Sequence, residues 1–157
     1  KEKLALTPRD TLVILVRHAE KTTDAPDSSL SEEGSKRALA LQAVLEYTQI
    51  DAIYSSQFKR NLDTVKPLAD HKGVAITTVP LDVNNPQPYS EVLVKEIKEK
   101  HQGETILIIG HTNTIPLILN LLLEKKLEIN KIEYSDFFLV KIPNTGESSL
   151  IKSQYGK

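Results

Sequence analysis

Two stretches of this chain are apolar without alternation: Thr11-Leu-Val-Ile-Leu-Val16 and Thr105-Ile-Leu-Ile-Ile109. A strand exposed on one face shows a polar residue at every second position, so these runs predict strands buried on both faces. Helices must then cover both sides of one sheet, and helical patterns fall between the strands. Ser31 is placed to cap a helix running to about Tyr47, with Ala38, Leu39, Leu41 and Leu45 on its apolar side. Phe58 to His71 reads as a second helix through Leu62, Val65, Leu68 and Ala69, with Pro67 as a point for a kink. A third is expected from a Ser90 cap to Gly103, burying Val92, Leu93 and Ile97, and a fourth from about Thr114, with Pro116 in its first turn. Ile50 to Ser55 and Val74 to Val79 read as further strands. Tyr134 to Ile142 and Ser148 to Ser153 flank a Pro-Asn-Thr-Gly turn and predict a terminal hairpin. The expected fold is α/β, a three-layer αβα sandwich with a mostly parallel sheet, helices on both faces and an antiparallel edge.

The 157 residues suit one domain, 1–157, without a linker or repeat. With 20 Lys and Arg against 21 Asp and Glu, the net charge of −1 gives no general attraction to nucleic acid or anionic lipid. The absence of cysteine excludes disulfides, thiolate metal sites and cysteine nucleophiles. No apolar stretch is long enough for a membrane helix, so the expectation is a soluble chain. It starts at Lys1 without an initiator methionine, which leaves room for a trimmed signal peptide and a bacterial extracytoplasmic location. Oligomeric state is not legible.

In open α/β sheets ligands bind beyond the carboxyl ends of the strands. Those ends carry Arg17-His18-Ala19-Glu20-Lys21, then Ser55-Ser56 with Arg60 one helical turn on, then His111-Thr112-Asn113. Two of only four arginines therefore meet two histidines at one rim. A guanidinium fork matches phosphate oxygens, and imidazole serves as nucleophile, acid or donor near neutral pH. Helix N-termini opening after Ser56 and Asn113 would add N–H groups toward the same anion.

Arg17-His18-Ala19-Glu20, Ser56-x-x-x-Arg60-x-x-x-Thr64 and Gly110-His111, in this order, resemble the histidine phosphatase superfamily, which includes the cofactor-dependent phosphoglycerate mutases. Leu30-Ser-Glu-Glu-Gly34-x-x-Arg37-Ala38 is similar to the family's stretch between its first two motifs, and the resemblance spans roughly Thr11 to Leu123. It implies a phosphoglycerate mutase-like fold, a covalent phosphohistidine on His18, and Arg17, Arg60 and His111 binding the phosphoryl group. Ala19 stands for the usual glycine, Lys21 for Ser or Thr, and Asp24 for a phosphate-binding Asn. These departures and the short chain resemble small phosphatases better than mutases. The resemblance also implies a catalytic acid on the segment Pro80 to Val92, which makes Glu91 a candidate, with Glu20 as the alternative; Glu91 also suits a helix dipole.

The function expected is a metal- and cofactor-independent phosphatase acting on a small phosphorylated substrate or a phosphoprotein. Thr112 and Lys21 are added to the phosphate-binding set, and loops Thr22 to Ser29 and Pro80 to Pro88 to the pocket walls. The alternatives are a degenerate module that binds phosphorylated ligands or proteins without turnover and, third, a phosphoryl mutase. A zinc site of His18, His111 and Glu20 is disfavoured by the guanidiniums beside it. Arg37 is expected as a solvated salt-bridging residue and Tyr89 as packing, while His71 and His101 carry no chemistry.

Overall fold

The computed structural model describes residues 9–25 and 27–156; Lys1 and Pro26, and the ends of the 1–157 domain range, lie outside the described residues. Six strands, β1 (Thr11–Arg17), β2 (Ala52–Ser55), β3 (Ile76–Thr78), β4 (Thr105–Gly110), β5 (Asp136–Ile142) and β6 (Ser149–Gln154), form one sheet in the order β3-β2-β4-β1-β5-β6. The pairs β2/β3, β2/β4 and β1/β4 are parallel, and the terminal hairpin adds β5 antiparallel to β1 and β6 antiparallel to β5.

The non-alternating runs are central, as a two-sided core requires. Val13 and Leu15 pack on one face of the sheet and Ile14 and Val16 on the other. Helices α1 (Glu32–Val44) and α2 (Lys59–Lys72) cover the second face through Leu41, Val65 and Leu68, and α3 (Gln87–Lys100) and α4 (Ile115–Leu123) cover the first through Leu93, Ile97 and Ile118. The architecture is the expected mixed α/β sandwich. Among the described residues no helix is long and apolar enough to cross a membrane.

Several local expectations are corrected. Helix α1 stops at Val44, short of Tyr47, because the Glu46 and Thr48 N–H groups bond three residues back, to the Ala43 and Leu45 carbonyls, instead of four. Leu39 and Val92, expected on buried faces, are 58% and 47% exposed. Ser90 does not cap α3, which already starts at Gln87 behind Pro86; its hydroxyl donates to the Pro86 carbonyl from inside the first turn. That helix ends at Lys100, before Gly103. Ser31 does cap α1, accepting from the Gly34 N–H at 3.1 Å.

Gly34 joins this helix to the residues after β1. The Ser31 N–H donates to the Glu20 carbonyl at 2.9 Å, and a Cβ on Gly34 would overlap that same Glu20 oxygen. Backbone cannot rotate aside as a side chain can. Gly34→Ala should therefore cost about 1–3 kcal/mol of stability, as overpacking does, and lower the thermal unfolding midpoint by several degrees. Ser35→Ala, at an exposed neighbour, is the control and should leave the midpoint nearly unchanged.

Candidate active site

The parallel register sets Arg17 opposite Gly110, and the His18 N–H donates to the Gly110 carbonyl at 3.0 Å. Both histidines thus leave adjacent strands side by side, with ring centroids 5.5 Å apart. On the other flank of β4, Ser55 pairs with Ile109, which brings Ser56 beside His111. Its hydroxyl shares a 2.8 Å hydrogen bond with His111 Nε2. Asn61, fully buried on α2, donates from its side chain to the Ile109 carbonyl at 3.1 Å and so holds the end of β4.

His18 is buried, and its Nδ1 lies 2.9 Å from the Ala19 carbonyl. A carbonyl can only accept, so Nδ1 carries the proton and Nε2 keeps the lone pair. The loop holding that carbonyl is itself tied down: the Ala19 N–H donates to Thr64 Oγ1 at 2.8 Å, and the Thr64 hydroxyl donates to the Arg60 carbonyl. Burial lowers the His18 pKa to about 4, helped by the charges of Arg60, Arg17 and Lys21 and opposed by the bond to Ala19. Burial likewise lowers His111 to about 3, with further repulsion from His18, Arg60 and Arg17. Both rings are neutral at physiological pH.

Arg17 donates through Nη1 to the Ile132 carbonyl at 3.1 Å, and its guanidinium lies 3.8 Å from the centre of the Tyr134 ring. Its Nε is buried with no hydrogen-bond partner among the described residues. The Arg60 guanidinium lies 4.6 Å from the centre of the Phe58 ring, and Tyr134 and Asp27 are within electrostatic reach of it. The strand ends thus gather Arg17, His18, Arg60 and His111 into one cationic cluster, the histidines buried and the arginines half-buried, suited to a doubly charged anion.

The other predicted residues are placed differently. Glu20 turns to Arg37, which meets both carboxylate oxygens at 2.9–3.1 Å and also donates to the Tyr155 carbonyl at 3.0 Å. Burial alone would raise the Glu20 carboxyl, but Arg37 holds it below the usual range. Arg37 is accordingly not the solvated residue expected: its side chain is 14% exposed. The zinc alternative loses its carboxylate to the same pair. Lys21 bonds Asp24 at 3.1 Å, and Thr112 is exposed in the turn after β4. Glu91 is exposed on α3 beyond its first turn, not in that turn as a Ser90 cap would have placed it, and accepts from the Gln87 amide at 3.0 Å. Tyr89 packs in the core.

Sequence reading singled out neither Tyr134 nor Phe58 as site residues, and from the segment after β3 it named Glu91 but not Asp82. The Gln57 amide is bonded both ways to the Leu81 backbone, at 2.8 and 2.9 Å, and the Asn113 amide donates to the Val83 carbonyl at 3.0 Å. Asp82 is therefore held between two residues anchored to the rim. A signal existed in the sequence, since Gln57 and Asn113 follow strand ends.

Residues 13–81 match the model of the histidine phosphatase superfamily, branch 1. Phosphoserine phosphatase 1 of Hydrogenobacter thermophilus is 33% identical over 98 residues, which is 57% of this chain; the match spans about half, 46%, of that relative's length. Among solved structures, Bacillus stearothermophilus YhfR superposes with a TM-score of 0.73 at 18% identity, over 89% of this chain and 95% of its own. The protein histidine phosphatase SixA, complexed with tungstate, gives 0.68 at 18% identity over 91% and 96%. At these identities the structural likeness is one of fold. The chain thus has the mixed α/β architecture of phosphoglycerate mutase-like structures and carries, from Val13 to Leu81, the sequence pattern of the histidine phosphatase superfamily.

Proposed function

We propose that this chain is a histidine phosphatase that hydrolyses phosphomonoesters or phosphohistidine, without a metal, through a phosphohistidine on His18. One observation carries the reading: His18 has its proton committed to the Ala19 carbonyl and its Nε2 lone pair free, in a cluster with Arg17, Arg60 and His111. The family match over residues 13–81 and the likeness to a phosphoserine phosphatase support the reaction class. The fold shared with a protein histidine phosphatase supports keeping phosphoproteins among the substrates.

Nε2 attacks phosphorus, the bond to the leaving oxygen breaks, and that oxygen takes a proton from an acid. Water then attacks the phosphohistidine, giving a proton to the conjugate base of that acid; the P–N bond breaks, its electron pair returns to Nε2, and inorganic phosphate leaves. Arg17, Arg60 and His111 stabilise the charge on the transferring group, with Thr112 and Lys21 at the margin. Hydrolysis of p-nitrophenyl phosphate in EDTA is the first test. His18→Ala should abolish turnover and acid-labile labelling, while Arg17→Ala or Arg60→Ala should lower kcat roughly a hundredfold. Full labelling of the His18→Ala protein would sink the assignment.

The pH dependence has a defined sign. With its pKa lowered to about 4, His18 stays an unprotonated nucleophile from pH 7 down through pH 5, so kcat/KM should hold there and fall only toward pH 4. The same depression means that the unfolded chain binds more protons than the folded one below the ordinary histidine value of 6.5. Stability is therefore lost as the pH falls from 6.5 toward 4. A pH series of rates and thermal midpoints checks both; an activity midpoint at 6.5 would contradict the neutral buried ring.

The acid belongs, on this reading, to the segment after β3, where Glu91 and Asp82 are the two carboxylates; Glu20 is committed to Arg37. Alkyl phosphates need a protonated leaving oxygen, whereas p-nitrophenolate leaves without one. Substituting the true acid by its amide should depress alkyl phosphate hydrolysis far more than that of p-nitrophenyl phosphate. Glu91→Gln and Asp82→Asn are compared on both substrates, and Glu20→Gln should show no such selectivity. Equal small losses throughout would mean that none of the three donates the proton.

A further inference from the structure

Each of the two site arginines lies over an aromatic ring, and each ring meets one of the two site histidines. Arg17 lies 3.8 Å from the centre of Tyr134, whose ring stands edge-on to His18 at 6.0 Å. Arg60 lies 4.6 Å from the centre of Phe58, whose ring stands edge-on to His111 at 5.5 Å. Both rings are half-buried. We propose that Tyr134 and Phe58 are paired positioning residues that hold the two guanidiniums in the geometry needed to grip a tetrahedral oxyanion; this rests on the phosphoryl-pocket reading above.

A guanidinium is planar, so a ring on its face restrains its tilt while leaving the N–H edge directed at an anion. Two cations converging on one site also repel each other, and the electron-rich face of a ring offsets part of that repulsion. A carboxylate in the same place would compete with the phosphoryl group. The nearby Glu20 is turned to Arg37, which keeps that competitor away. Tyr134 is itself held by its turn: the Glu133 N–H donates to Asp136 Oδ2 at 2.7 Å, and Asp136 is fully buried at the start of β5. Arg17 meets the same segment a second time, at the Ile132 carbonyl.

The test measures orthovanadate binding by calorimetry and p-nitrophenyl phosphate kinetics on the full chain. Tyr134→Met and Phe58→Met keep the bulk and apolar contact but remove the ring face. Each should weaken vanadate binding roughly tenfold, the scale of a desolvated cation–π contact, and lower kcat more than it raises KM. Tyr134→Phe should recover the affinity, since the ring is retained. In an Arg17→Ala background, Tyr134→Met should add less than about a twofold further loss, because its effect runs through that guanidinium. Vanadate affinity within about twofold of the unaltered chain in both Met variants would overturn the proposal, as would a Tyr134→Met loss that persists without Arg17. The Phe58 arm carries the test if the Tyr134 variant does not fold. A chain that binds vanadate without hydrolysing ester refutes the phosphatase reading alone, and the braces are then judged by binding. An unaltered chain that binds no vanadate overturns both.

Discussion

The parallel pairing of β1 with β4 is the constraint on which the site depends. It is a six-residue register from Leu12↔Thr105 to Arg17↔Gly110, made by two strands buried on both faces. Sliding it by one residue would turn every side chain of β1 to the other face; with apolar residues on both faces, close packing rather than alternation holds it. Because the register is locked, the residues that follow, His18 and His111, emerge as neighbours. The close packing of α4 on the end of β4 depends on the same place: a Cβ on Gly110 would come within 2.7 Å of Ile115.

The electrostatics follow from burial in that position. Two guanidiniums and two imidazoles share a poorly solvated rim, and the rings respond by staying neutral. Around the arginines lie aromatic faces, the Ile132 carbonyl at Arg17 and the charge of Asp27 near Arg60, while Glu20 is not their partner. Glu20 instead forms a forked pair with Arg37, which extends to the Tyr155 carbonyl and so couples the loop after β1 to the end of the hairpin. The result is a net positive rim at the carboxyl ends of β1, β2 and β4.

Much of this was legible in the sequence. Continuous apolar runs report burial on both faces, and the rule that ligands sit beyond strand ends selected Arg17, His18, Arg60 and His111 before any coordinates. Those four do come together, since each lies within a few residues of a strand whose position its own pattern specifies. The less legible parts are of two kinds. Element ends, such as the early stop of α1 at Val44 and the start of α3 at Gln87, depend on individual backbone hydrogen bonds that periodicity does not encode. Exposure of Leu39 and Val92 depends on how far a neighbouring element reaches over the helix.

The sequence alone determined the strand and helix pattern, the two-sided sheet and the four residues at its rim, because burial period and side-chain chemistry are local properties. Only the tertiary structure decided the partners of those residues. Arg17 meets Ile132 across 115 positions and Arg37 meets Tyr155 across 118, contacts that no spacing rule reaches. Tyr134 arrives beside Arg17 because β5 runs antiparallel to β1, so its first residues lie at the carboxyl end of β1. Strand direction at a sheet edge, and with it which loop lies beside the rim, is set by how the chain returns across the sheet and not by the composition of the loop.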